Sequence, residues 1–392
     1  MSERCDVVIV GGGVVGSAIA YFLLGQTTFK GRVAVIEKDS TYADAATSRS
    51  VGGVRQQFST PENIAMSTFG AAFIKGIADY LTVDGEAPSV PFTEWGYLFL
   101  ATEGGLDILT SNHVIQTGLG ADIALMKPDQ LKARFPWLNT ADLAAGSFGR
   151  SNEGWTDPYS LLQAFKRKAR SLGAVYVNDE VVAIQHSGSR VQAVQLAKAG
   201  RLACGNLVDS AGYHSHRVAA MAGIDLPIRP RKRCVFVFDC KTPIGRAPLT
   251  IDPTGVYFRP EGASFICGVA PPDERDPDCL DFDIDYSLFE ETVWPTLAER
   301  VPAFETIKLA RAWAGHYDYN TVDQNAILGP HPEIANFFFA NGFSGHGLQQ
   351  SPAVGRATAE MIAYGAYRSI DLTRFGFDRF AKGRTIIELN VV

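Results

Sequence analysis

Hydrophobic positions along the chain fall into short unbroken runs, helical stripes and alternating stretches, and their order predicts the elements. Residues 6–10 (DVVIV) are almost wholly apolar, as a strand covered on both faces must be. An apolar helix through Leu24 and a second buried strand at 32–36 follow. Thr60-Pro61-Glu62 opens a helix whose Ile64, Phe69, Phe73, Ile77 and Leu81 share one broad face. Residues 96–100 (GYLFL) predict a strand and 104–118 a helix. Asp157-Pro158 starts another helix to Leu172, with Lys166, Arg167, Lys168 and Arg170 toward its end and Gly173 beyond. Closely spaced strands at 174–178, 180–186, 190–197, 201–204 and 206–210 predict a meander. Long antiparallel strands are expected over 228–270, a helix over about 287–300, and a strand over 306–314. The apolar run at 337–340 enters a glycine-rich loop, and Pro352 is expected to open a helix over 353–364. No repeat or low-complexity linker divides the chain, so the fold reads as mixed α/β and α+β with interleaved domains.

Two of these junctions carry chemistry. After the first strand come Gly11-Gly12-Gly13-Val14-Val15-Gly16, then a helix, a strand and Glu37, 21 residues past Gly16. The glycines allow a tight turn and close approach of a pyrophosphate to a helix N-terminus, and the acid can accept a ribose hydroxyl. Near the other end, Asn341-Gly342-Phe343-Ser344-Gly345-His346-Gly347-Leu348-Gln349 again joins a strand to a helix N-terminus, suited to an electron-rich or anionic group. A nicotinamide enzyme needs no such second motif, whereas a flavoprotein that threads FAD through its whole domain does.

Composition narrows the class. The chain has 392 residues, 46% of them hydrophobic, enough for two packed domains. A net charge of −6 argues against a nucleic-acid footprint, and the basic run 229–233 is short and leads into a strand. The six cysteines are scattered without a C-x-x-C pair, which predicts reduced core thiols. The seven histidines show no ligand spacing, and no metal is expected. No window approaches the roughly 18 apolar residues of a membrane helix, and no signal-like stretch precedes the first strand, so the cytoplasm is the expected address.

With both signatures in place, the chain resembles the D-amino-acid oxidase and sarcosine oxidase superfamily of FAD enzymes over nearly its full length. SVGGVRQQFSTPENI (50–64), PRKRCVFVF (230–238), GHYDYNTVDQNAILGPHP (315–332) and GFSGHGLQQSPAVGRA (342–357) are most similar to the mitochondrial FAD-dependent oxidoreductase domain-containing family and its bacterial relatives. The resemblance implies a Rossmann-like, glutathione-reductase-like FAD domain (1–87, 152–222, 316–392) interleaved with a substrate domain built on a large antiparallel sheet (88–151, 223–315). It implies contacts to FAD from Gly11, Gly13, Val14, Val15, Gly16, Glu37 and Lys38, and from Ser48 and Arg49 on the diphosphate side. Val182 would meet the adenine end, Ala211 and Gly212 would close a strand end beside the cofactor, and Gly342, Gly345, His346, Gly347, Leu348 and Gln349 would surround the flavin ring.

Flavin amine oxidation needs an oriented amine, a dry site and charge stabilisation around the ring. An arginine fork is the usual clamp for an amino-acid carboxylate. Arg55 matches a carboxylate-binding arginine of related amine oxidases, with Arg233 and Arg259 as further candidates. Tyr257 is a candidate cover with a hydroxyl donor, and His346 a group beside the ring. The cysteine that carries covalent flavin in sarcosine oxidase corresponds to His316, and the attachment histidine of dimethylglycine dehydrogenases to Arg49, so FAD is expected to be noncovalent. A carboxylate-holding lysine corresponds to Gln349. The oxygen-activating lysine is absent from 264–270 (SFICGVA), which leaves the electron acceptor open between O2 and another carrier. The leading reading is oxidation of the C–N bond of a small secondary amino acid such as sarcosine, dimethylglycine or iminodiacetate. The surplus of arginines favours more than one carboxylate. A flavin-dependent hydroxy-acid or glycerol-phosphate dehydrogenase, and a noncatalytic assembly protein that retains FAD, stand as alternatives.

Overall fold

The structure, a computed structural model, describes residues 4–389. It contains two eight-stranded sheets and a small three-stranded one. The first large sheet grows around the opening strand Arg4–Val10, which lies in parallel between Val33–Glu37 and Gly200–Asp209. Val7, Val8 and Ile9 are fully buried because helices cover one face and a second apolar cluster the other. Helix Val14–Leu24 packs against the helices Pro158–Ser171 and Gly347–Tyr364. Gly355 permits that last contact: a Cβ there would lie 2.8 Å from the Cβ of Ala18. Phe73 and Phe165 stack in the same layer at 5.4 Å.

Several boundaries differ from the sequence expectation for local reasons. The helix expected across 60–81 breaks at Gly76 into Pro61–Lys75 and Ile77–Leu81. The strands expected at 201–204 and 206–210 are one, Gly200–Asp209, whose first half pairs antiparallel with Arg190–Leu196 and whose end pairs parallel with Phe337–Asn341. Val175–Asn178 leaves the meander and pairs parallel with Val33–Glu37 at the opposite edge, because helix Pro158–Ser171 delivers it there as a crossover. The final helix begins at Gly347, five residues early, and contains Pro352. Ser351 Oγ donates to the Leu348 carbonyl at 2.8 Å, the acceptor that Pro352 leaves without its helical N–H.

The second sheet runs in the order Ile307–Asn320, Ile228–Cys240, Ser264–Gly268, Tyr257–Glu261, Leu249–Ile251, Tyr97–Ala101, Ala145–Gly149, Ile123–Met126. It is antiparallel except for one parallel join between Leu249–Ile251 and Tyr97–Ala101. Ile228–Cys240 pairs along its whole length with Ile307–Asn320, six residues longer at its C-terminal end than expected, and carries the basic run within the ladder. All six cysteines are free thiols. Among the described residues, no helix is long and apolar enough to cross a membrane.

Candidate active site

A long cavity lies between the two large sheets, bounded at one end by Glu37 and Lys38 and at the other by Arg55, Tyr97, Tyr257 and Tyr317. Its floor begins with the first glycine turn. Gly11 has φ +96°, and a Cβ there would sit 2.4 Å from the Ser210 carbonyl oxygen; one on Gly16 would sit 2.0 Å from the carbonyl oxygen of Gly11. Only glycine lets the chain close this tightly. Helix Val14–Leu24 has no side-chain cap on Gly13, although the Val14 amide donates to Thr47 Oγ1 at 3.2 Å. Its N-terminal amides therefore face the cavity and favour an anion. Glu37 accepts from the Gly12 amide at 2.8 Å and the Asp39 amide at 2.9 Å. Burial raises its pKa while those two amides oppose the rise. Lys38 Nζ donates to His214 Nε2 at 2.7 Å; burial, then the Lys38 charge, push His214 down to about 3, so its ring is neutral.

The sequence-predicted residues divide between those that reach the cavity and those behind it. Gly11, Gly13, Val14, Val15, Glu37, Lys38, Arg49, Ala211 and Gly212 line it, as do Gly345, His346, Gly347, Leu348 and Gln349. Gly16 and Gly342 act from behind as turn and packing residues, and Ser48 Oγ is buried without a protein partner. Val182 is half exposed and not among the residues that line the cavity. Arg49 braces the wall: it donates to the Ala43 and Ala314 carbonyls at 3.0 and 2.9 Å, pairs with Asp44 at 2.7 Å, and stacks 4.0 Å over Phe282.

At the far end, the strand Phe337–Asn341 turns through Gly342 (φ +73°) around the carboxylate of Asp318, which accepts from the Phe343 amide at 3.1 Å. Burial pushes Asp318 up to about 6 against the pull of the amides of 342–344. Gly345 (φ +101°) passes so close to Tyr317 that a Cβ would lie 2.6 Å from its ring. The helix that follows has His346 at its N-cap with no side-chain cap, leaving its first amides toward the cavity.

Arg55 is buried here. Its Nη2 donates to His346 Nε2 at 2.9 Å, and its guanidinium lies 4.4 Å over Phe58 and 5.0 Å over Phe99. Arginine has no acceptor, so His346 Nε2 is the lone-pair nitrogen and the proton sits on Nδ1. Burial first, and the Arg55 charge second, push His346 down to about 3, so the ring stays neutral. Burial likewise lowers the Arg55 pKa, opposed by Tyr97, Glu388, Glu153 and Tyr317.

The other two candidate arginines fare differently. Arg233 lines the cavity, but it is bound bidentately to Asp276 at 2.8 and 2.9 Å. Arg259 is not part of the cavity wall: it donates to the Val51 carbonyl at 2.8 Å and the Pro260 carbonyl at 2.8 Å and pairs with Glu261. The expected surplus of positive charge is thus cancelled by acids: Asp276, 43 residues from Arg233, and Glu261, two residues from Arg259 on the same strand. Tyr257 does line the cavity, and burial raises its pKa well above the ordinary tyrosine value. Tyr97 and Tyr317 join it and were not foreseen, although both sit in recognisable strand runs. His316, between Tyr213 and Phe282, also lines the cavity.

The model of the FAD dependent oxidoreductase family matches residues 6–361. The chain belongs to this family. It is 44% identical to FAD-dependent oxidoreductase domain-containing protein 1 of Xenopus laevis, over all of this chain and 85% of the relative, and 44% identical to the Bos taurus protein, over 97% of this chain and 86% of the relative. Among solved structures, L-proline dehydrogenase from P. horikoshii superposes with a TM-score of 0.87 at 27% identity, covering 98% of this chain and 100% of that one. Glycine oxidase from Geobacillus kaustophilus, at TM-score 0.81 and 24% identity over 96% of this chain and 99% of that one, shares the fold. The cofactor of this FAD-dependent oxidoreductase is FAD. Its residues fit that group: the glycine turn at Gly11 sets the start of helix Val14–Leu24 in the cavity wall, and the helix start at Gly347 lines the other end.

Proposed function

We propose that this flavoprotein oxidises the C–N bond of a small amino acid, with a secondary amine of the sarcosine type as the favoured form, and that Arg55 holds the substrate carboxylate. The observation that carries this reading is the buried Arg55 at the cavity end, aligned by a neutral His346 and flanked by Tyr97, Tyr257 and Tyr317. A guanidinium set by one imidazole and two aromatic faces is held in one orientation, and its planar fork matches a carboxylate bidentately. Because Arg233 and Arg259 already hold acids, the reading favours one carboxylate, and sarcosine or dimethylglycine over iminodiacetate.

When bound, FAD supplies a two-electron acceptor for the hydride leaving the carbon next to nitrogen; the resulting imine is hydrolysed by water to aldehyde and amine. The chain's own residues do the rest. Val235, Leu249 and Ile251 present apolar side chains from the roof sheet and exclude water. The tyrosine hydroxyls stay protonated, because burial raises each pKa, and so act as donors. Gly11, Gly13, Glu37 and the 345–349 turn hold the cofactor, and we propose that they hold it noncovalently.

Anaerobic mixing of the yellow protein with sarcosine, dimethylglycine, iminodiacetate, L-proline, glycolate and glycerol 3-phosphate tests the reaction class. Bleaching by the monocarboxylate amines is expected. Bleaching by glycolate or glycerol 3-phosphate alone overturns the C–N assignment, and iminodiacetate reacting fastest overturns the single-carboxylate preference. Acid precipitation should release the yellow colour into the supernatant; flavin retained by the pellet would point to His316 as the attachment site.

A further inference from the structure

Arg55 lies in a stretch with no ladder of its own. The strand Gly53–Val54 ends just before it, helix Pro61–Lys75 begins just after, and residues 55–60 belong to neither. Buried backbone groups in such a stretch need partners from elsewhere, and side chains of distant elements supply them. The Arg55 amide donates to Gln349 Oε1 at 2.6 Å and the Gln56 amide to Glu153 Oε1 at 2.5 Å, while Gln116 Nε2 donates to the Phe58 carbonyl at 3.0 Å. Glu388 holds the far end. Its Oε1 accepts from the Ser59 amide at 2.5 Å and the Ser59 hydroxyl at 2.6 Å, and its Oε2 from the Thr60 amide at 3.2 Å and Asn63 Nδ2 at 3.1 Å. Thr60 is the N-cap of the helix, and Glu388 accepts its amide as the acid of a capping box would, from 328 positions away.

The segment that carries Glu388 inverts the usual pattern of burial. Ile386 and Glu388 are buried, whereas Ile387 and Leu389 are exposed at 70% and 55%. A segment docked only for its apolar surface would expose the acid and bury Ile387 and Leu389 instead. Its register is set by polar contacts: Asn325 Nδ2 donates to the Ile386 carbonyl at 2.8 Å, the Ile386 amide to Asp323 Oδ2 at 3.1 Å, and the Leu389 amide to Ser59 Oγ at 2.9 Å. The chain thus places its inward-facing acid at the end of the stretch that begins with Arg55.

Resting on the reading of Arg55 as the carboxylate anchor, we propose that Glu388 is a positioning residue for substrate binding: it fixes the 59–60 end of this stretch and, through Phe58, the place of the Arg55 guanidinium. Phe58 is the link. It is fully buried next to Ser59, its ring lies 4.4 Å under the guanidinium, and it meets the His346 ring edge-on at 5.0 Å. A shift of the Ser59 backbone therefore moves the surface on which Arg55 rests and the imidazole that aligns it. The charge of Glu388 acts in the same direction. Burial lowers the Arg55 pKa, and Glu388, after Tyr97, opposes that fall, so the group that holds the backbone also favours the charged guanidinium.

The test measures acetate binding through the flavin absorbance of the holoprotein, in a cycle of Arg55→Ala, Glu388→Gln and the double variant. Glu388→Gln sets an amide NH2 against the donors of Thr60 and Asn63, so the end of the stretch loses its hold. Acetate Kd and the KM of the best amino-acid substrate should each rise about tenfold, as for a lost charge-assisted bond, with kcat within about twofold and FAD content unchanged. In the Arg55→Ala background the same substitution should change acetate Kd by less than about twofold, because coupled residues are not additive. An equal shift in both backgrounds means a general structural role and overturns the proposal, as does an unchanged Kd in Glu388→Gln alone. Should that variant fail to fold, Ser59→Ala removes the hydroxyl that bonds both Glu388 and the Leu389 amide. It should raise acetate Kd about threefold, and only where Arg55 is present; no shift overturns the proposal. Acetate binding indifferent to Arg55→Ala sinks the anchor reading and this proposal with it, whereas Arg55-dependent binding that ignores both Glu388→Gln and Ser59→Ala removes only the role of Glu388.

Discussion

The role proposed for Arg55 comes from its neighbours. Charge-assisted hydrogen bonds in a desolvated site are worth roughly 2–4 kcal/mol when lost. Arg55→Ala should therefore lower kcat/KM on the best amino-acid substrate by on the order of 10²-fold. FAD content, measured from the absorbance ratio of flavin to protein, should stay unchanged; loss of flavin instead would move Arg55 to the cofactor site. Arg259 supplies the contrast. Its guanidinium ties Val51, Pro260 and Glu261 together outside the cavity. Arg259→Met is expected to lower Tm while leaving the KM of the remaining folded protein near the wild-type value, and a selective rise in KM would contradict that assignment.

At the scale of elements, the two strand–turn–helix junctions set the site. The contact of Gly16 with Gly11 leaves no space for a methyl group. Gly16→Ala should give a colourless protein, or one that loses flavin on gel filtration, with far-UV circular dichroism retained. Between the junctions sits Asp209, at the end of Gly200–Asp209. It accepts from the Ala211 amide at 3.1 Å, Ser215 Oγ at 2.9 Å and Asn341 Nδ2 at 3.1 Å. Burial pushes it up to about 7. A raised carboxyl pKa means that the native state keeps a proton which the unfolded chain releases. Its contribution to stability is full below the unfolded pKa of about 4 and is lost as the pH climbs through about 7. Asp209→Asn carries no such proton, and Asn341, whose Oδ1 has no partner, can turn its amide to accept from it. The fall of Tm between pH 5 and 8 should be shallower in this variant; an identical slope would show that Asp209 is not the titrating group.

Across the whole molecule, the cofactor cavity is where the two sheets meet, so FAD is also a stabilising ligand. Its binding to the native state alone should raise Tm with the logarithm of free FAD. A Tm independent of added FAD in flavin-stripped protein would mean that FAD does not bind the native state in preference to the unfolded chain. At this scale the sequence is a good guide to what is local. Gly11 and Gly13 of the first turn, Glu37 and residues 345–349 of the second loop line the cavity. The helix break at Gly76, the departure of Val175–Asn178 from the meander and the early start of the last helix did not follow from local pattern. Only the strand's departure depends on a distant element, the far sheet edge; the helix break sits at Gly76, and the last helix accommodates Pro352 internally through Ser351 donating to the Leu348 carbonyl.

The sequence by itself determined the dinucleotide turn, the second glycine loop and the flavoprotein class, because a tight turn and a helix N-terminus need particular residues at particular spacings. Only the tertiary structure decided what each candidate arginine meets. Arg233 meets Asp276 and Arg259 packs against Val51, partners 43 and 208 positions away, while Arg55 is set against His346, 291 positions away. Charge is read one residue at a time along a chain, but its balance is struck between residues that folding brings together, in a desolvated space where each buried charge needs a partner.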